Sequence, residues 1–243
     1  MNANTRTTRP ESTITKALLA CGAVAGPLFV GASIIQGLTR RGFDLSREPI
    51  SFLSLGPVGW IQRANFIVAG LLVAALAVGV RRALGAGAGG TFGPLFLAGL
   101  GVGLVIAGLF HPDAGFGYPP GTPGGPPKLL TYHSQLHGLG FTLSFVFFVL
   151  ACAAFARAAA LERRWPWVAY TGASGAAALI LGISPGNSGI AVRDLLAALV
   201  LWAWITLQAL RVSRRMQVPS PHATTTPAGH RPGPAADQGR EIR

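Results

Sequence analysis

"KALLACGAVAGPLFVGASIIQGL", from Lys16 to Leu38, decides the fold. It is longer than the ~20 apolar residues needed to cross the hydrocarbon layer of a bilayer. It carries no charge after Lys16, and no small-residue cleavage ending follows a short apolar core in the preceding "MNANTRTTRPESTIT". The stretch therefore predicts a retained first membrane helix, not a secretory leader.

Working outward, the same signal recurs. "WIQRANFIVAGLLVAALAVGV" (Trp60–Val80) and "GPLFLAGLGVGLVIAGLF" (Gly93–Phe110) predict the second and third spans. The fourth covers about His133 to Phe155, the fifth is "WVAYTGASGAAALILGI" (Trp167–Ile183), and the sixth covers about Ile190 to Leu210. Composition agrees: half the residues are hydrophobic and 12% are charged, against roughly 25% charged in soluble domains. The expected fold is all-α, one polytopic transmembrane bundle of six helices over residues 16–215. A cytoplasmic segment, 1–15, precedes it and a disordered cytoplasmic tail, 216–243, follows.

Lysine and arginine set the orientation. With both termini inside, the inner face holds Arg6, Arg9, Lys16, Arg81, Arg82, Arg157, Arg163, Arg164, Arg211, Arg214, Arg215 and the tail arginines; the outer face holds Arg40, Arg41, Arg47, Arg63, Lys128 and Arg193. The inner set is the larger, which predicts N-in/C-in in the cell membrane. The net charge of +12 then reads as topology and contact with anionic lipid. Arginines in pairs, not long clusters, speak against nucleic acid as a partner. The tail, "PSPHATTTPAGHRPGPAADQGREIR", is too polar and proline-rich to build a core, so His222 and His230 read as solvated. "GAGAGGTFG" reads as a flexible inner loop.

Small residues suggest how the bundle packs. Gly99, Gly101, Gly103 and Gly108 in the third span, and Gly172, Gly175 and Ala176 to Ala178 in the fifth, form faces that let backbones approach. Pro27 predicts a kink in the first span. Cys21 and Cys152 fall inside spans and behave as small apolar groups.

The chemistry gathers on the outer face. Asp44, Arg47, Glu48 and Ser51 lie in the first outer segment, His111 and Asp113 in the second, and Asn187, Arg193 and Asp194 in the third and the helix it opens. Asn65 falls about 7.5 Å below Trp60 at 1.5 Å per residue, a depth where an amide should face protein or a wet cavity. "TYHSQLHGLGFTLSFVFFVL" (Thr131–Leu150) puts His133 and His137 on one helix face, continued by Gly140, Phe141 and Ser144. With Asp113 nearby, the pair allows three readings. It could be a metal site drawing on His133, His137 and Asp113, a metal-free polar site, or hydrogen-bonded helix-end residues with no ligand. The metal-free readings are favoured, so no cofactor is expected.

These residues carry a resemblance. "REPISFLSLGPVGWIQRANFIVAGLL", "FHPD" ending the third span, the second histidine of "HSQLHG" and "SGIAVRD" together resemble the six-span prokaryotic membrane proteins grouped as the domain-of-unknown-function 998 family, over about Lys16 to Arg215. Position by position, the resemblance points to Ser51, Arg63, Asn65, Asp113, His137 and Arg193 as candidate ligand-binding residues. A more distant similarity to the Frag-like superfamily implies lipid handling.

Two function classes follow. One is an integral membrane protein that binds a lipid headgroup, a small polar ligand or a protein partner at an outward-facing polar pocket, with Arg63 and Arg193 available to an anion. The other is an intramembrane lipid-acting enzyme, a metal-dependent hydrolase among the options, with His137 as base and Asp113 orienting it. A transporter is disfavoured, because no matched pair of broken helices appears in the two halves.

Overall fold

The structure, a computed structural model, describes residues 10–87, 89–183 and 189–217. The expectations for the first nine residues, for Asn187 and for the tail with His222 and His230 lie outside the described residues. The chain forms α1 (Pro10–Thr39), a short 3-10 helix (Ile50–Ser54), α2 (Trp60–Leu84), α3 (Phe92–Leu109), α4 (Tyr132–Leu161), α5 (Trp165–Ile183) and α6 (Ile190–Arg215). An isolated bridge between Gly115 and Tyr118 is the nearest thing to a strand among the described residues.

Six helices stand where six apolar runs were read, with α1, α2, α4, α5 and α6 longer than those runs. α1 starts at Pro10, inside the segment expected to precede it, where a proline's fixed φ and missing N–H suit a first helical turn. It also runs on through Pro27 as a single helix. α2, α3 and α4, together with α1 and α6, are long and apolar enough to cross a membrane. Among the described residues α5 is not one of these five, although it too is predominantly apolar.

Each helix packs on its neighbours in sequence and α6 closes on α1, so the six form a ring. Trp204, Phe148, Leu76, Leu97, Leu100 and Ile205 are fully buried within it, while Ile35, Leu71, Val102 and Ile180 stand exposed on its outer surface. That inversion of ordinary surface chemistry suits hydrocarbon as solvent.

α3 sits between α2 and α4 by virtue of its glycines. A Cβ on Gly101 would lie 2.6 Å from the Gly70 carbonyl oxygen of α2, and one on Gly103 would lie 2.7 Å from the Gly140 carbonyl oxygen of α4. Gly108 likewise abuts the backbone of Arg63. The small-residue reading of α5 needs correcting. Gly175 does approach Cys152, but Gly172 meets nothing within 4 Å, so it offers no close helix contact.

α1 and α2 are joined by a polar ladder. The Gln36 amide donates to Gln62 Oε1 at 2.7 Å, Gln62 Nε2 donates to the Ser33 hydroxyl at 3.1 Å, and Asn65 Nδ2 donates to the Phe29 carbonyl at 3.1 Å. Away from water each unmet polar group is costly, and this ladder satisfies its members against one another.

Candidate functional site

The ring has two ends. At one the chain enters and leaves; the other, here the loop end, carries residues 40–59 and 110–131. These segments are long but ordered by packing. Arg40 extends the ladder, donating to Gln36 Oε1 at 2.8 Å, to the carbonyls of Leu55 at 3.3 Å and Val58 at 3.1 Å, and to that of Leu53. Asp44 accepts from the Ser46 hydroxyl and backbone N–H, which, with Arg47 adding to them, hold its carboxyl below the usual carboxylate range. Phe43 meets Tyr118 edge-on at 5.1 Å and Phe52 meets Phe116 at 5.8 Å, so the two segments lock together.

Between these segments and the ends of α4, α5 and α6 opens a vestibule of about 440 Å³, within the range of ~300–1,000 Å³ common for small-molecule sites. Ser51, Asp113, Ser134, His137, Arg193 and Asp194 supply its polar wall; Phe116, Phe141 and Leu181 are among its apolar members.

Each polar group is set by local structure. His137 is buried, and its Nδ1 lies 2.8 Å from the Ala107 carbonyl and 3.2 Å from that of Phe110. Those carbonyls lie at the end of α3, where helical partners run out. The imidazole therefore holds its proton on Nδ1 and closes α3 against α4, leaving Nε2 an acceptor. Asp113 spends both carboxyl oxygens on Thr131, accepting from its N–H and its hydroxyl at 2.7 Å each. Thr131 in turn caps α4 by accepting from the Ser134 N–H. Asp113 is thus a clamp on the start of α4.

Beneath the vestibule lies an inner cavity of about 80 Å³. It sits on the ring axis, lined by Phe29, Phe66, Phe148, Leu201 and Trp202, with Ser144 and Asp194 as polar interruptions. Ser51, Phe141, Phe145, Asp194 and Ala197 line both spaces, so the two adjoin there, at what is here called the neck. A vestibule carrying several polar groups thereby adjoins an aromatic interior.

Of the six candidates, the structure brings Ser51, Asp113, His137 and Arg193 to one vestibule. Asn65 and Arg63 are elsewhere. Asn65 is buried in the ladder between α1 and α2, and Arg63 sits in the first turn of α2 with its backbone against Gly108 of α3. Nor do the two histidines converge: His137 turns to α3, whereas exposed His133 stacks on His111 at 5.0 Å. Among the described residues no three His, Cys, Asp or Glu side chains gather to hold a metal ion. Sequence reasoning placed Asp194 on the outer face but did not carry it among the six candidates; it lines both cavities, as Ser51 does, and is the charged group they share. Its signal was a carboxyl one turn into an apolar helix, which is a functional hypothesis by default.

A closed ring of apolar helices, five of them long and apolar enough among the described residues to cross a membrane, defines a multi-pass helical membrane protein in contact with lipid. The chain belongs to the family described as Protein of unknown function (DUF998), whose model matches residues 23–211. No curated protein and no solved structure matches it.

Proposed function

We propose that this protein binds a membrane amphiphile in the cell membrane, its polar head in the vestibule and its apolar part reaching through the neck. One observation carries the reading: the vestibule and the aromatic cavity share the walls Ser51, Phe141, Phe145, Asp194 and Ala197. A purely polar ligand would leave the aromatic interior unused. The head is a zwitterion: Arg193 suits a phosphate, and the Asp194 carboxyl, beside it in sequence, suits an ammonium group. The arginine distribution turns this mouth outward. A hydrolase built on His137 and Asp113 has less support. Asp113 is occupied by Thr131 and the His137 Nδ1 proton by α3 carbonyls, so neither orients the other.

The test uses lysophosphatidylcholine carrying a fluorophore on its acyl chain, titrated into the protein in neutral detergent. Ala197→Trp, which fills the neck, should weaken binding at least tenfold while the variant keeps its melting temperature. Unchanged binding by a folded Ala197→Trp protein would overturn the reading.

A further inference from the structure

The opposite end of the ring carries a second, unrelated feature. Between the start of α5 and the end of α6 lies a groove of about 300 Å³, lined by Arg164, Arg211, Arg214 and Arg215 with Trp167 and Leu207. Four guanidiniums share one acidic neighbour. Glu162 takes a two-pronged contact from Arg215, lies 3.3 Å from Arg164 and 3.7 Å from Arg211, and so answers about one of the four charges. Among the described residues Arg214 makes no ion pair.

Burial sharpens the imbalance. The Arg211 side chain is only 9% exposed, and its guanidinium rests 4.5 Å above the Trp167 ring. The Nε atoms of Arg211 and Arg215 are buried without a hydrogen-bond partner. Like charges this close repel unless an anion joins them, and a guanidinium fork suits a phosphate's geometry. The groove is also half apolar, since Leu207 beside it is 41% exposed on a membrane-facing helix, and tryptophan over a cation at a helix end matches the headgroup layer.

We infer that this groove holds the phosphate of an anionic phospholipid in the leaflet at the terminal end, its glycerol and first acyl carbons lying along Trp167 and Leu207. A free phosphate ion would satisfy the arginines but not the apolar wall. The site is independent of the vestibule, which lies at the far end of the ring.

The experiment counts bound lipid by native mass spectrometry of the full chain in neutral detergent, titrated separately with phosphatidylglycerol, phosphatidylcholine and inorganic phosphate. The parent should bind one phosphatidylglycerol in preference to phosphatidylcholine. Arg214→Gln, which leaves the Glu162 contacts in place, should weaken that binding about tenfold, the worth of one charge-assisted hydrogen bond, and Arg211→Gln should weaken it further. Equal binding of the two lipids, an undiminished phosphatidylglycerol count in both variants, or full competition by inorganic phosphate at lipid concentrations would each overturn the proposal.

Discussion

His137 shows how one side chain can serve structure and site together. Its Nδ1 meets two carbonyls that α3 cannot satisfy, so His137→Ala should leave them stranded at about 1–3 kcal/mol. His137→Asn, which can present an amide N–H at similar reach, should recover part of that loss. His133→Ala should cost little, because His133 is exposed and only stacks on His111. Thermal unfolding of the three variants with and without chelator is the check; large matched losses at His133 and His137, reproduced by chelator in the parent, would point to a metal instead. Glu162 offers a pH-dependent case at the other end. The Arg215 hydrogen bond, then the charges of Arg215, Arg211 and Arg164, hold its pKa below the ordinary 4.5. A depressed acid stabilises the fold above its unfolded pKa and loses that contribution as pH falls through the folded one. The melting temperature of Glu162→Gln should therefore lie below the parent's at pH 7, with the gap closing as pH drops below about 4.5. A gap that does not narrow at all as pH falls below about 4.5 would mean the Glu162 contacts act through packing and not charge.

Among the elements, α3 is the one whose sequence dictates its neighbours. Gly101→Leu and Gly103→Leu would drive carbon into backbone atoms of α2 and α4, which cannot yield as a side chain can; each should lower the melting temperature by the equivalent of about 1–3 kcal/mol. Gly99→Leu should be milder, since the obstacle there is the Phe147 ring, and Val102→Leu, on the exposed face, milder still. Gly172→Ala should be tolerated because that position is open; equal losses at Gly101, Val102 and Gly172 would refute the packing argument. The contrast explains what could be read beforehand. Hydrophobic run length located the six long helices, though not the short 3-10 helix at Ile50–Ser54, and small-residue spacing located the close contacts of α3, because both are local properties of the chain. In α5 the same spacing held at Gly175 and Ala178 but not at Gly172, since a glycine says that a neighbour could approach and not that one does. Asn65 faces protein, as its depth implied, but its partners are Phe29, Ser33 and Gln62 across a helix pair and not the vestibule, and no run of α2 alone reveals which partners those are.

For the whole molecule the governing question is which end faces which side, because the ring is chemically polarised. The end bearing the vestibule collects six of the chain's twenty basic residues and the other end, with the segments beyond it, collects fourteen. Positive charge is retained on the cytoplasmic side during insertion, so the vestibule should open outward and the arginine groove should meet the anionic inner leaflet. The two proposed sites then depend on one orientation, and reversing it would present the groove to the outer leaflet and the vestibule to the cytosol. Single cysteines test this directly once Cys21 and Cys152 are replaced by alanine. Gly124 meets nothing within 4 Å in the long segment at the vestibule end, and Gly87 lies in the turn after α2 at the other end. In intact cells Gly124→Cys should react with an impermeant maleimide and Gly87→Cys should react only after the membrane is opened. The opposite pattern would invert the orientation and with it the side from which each ligand arrives.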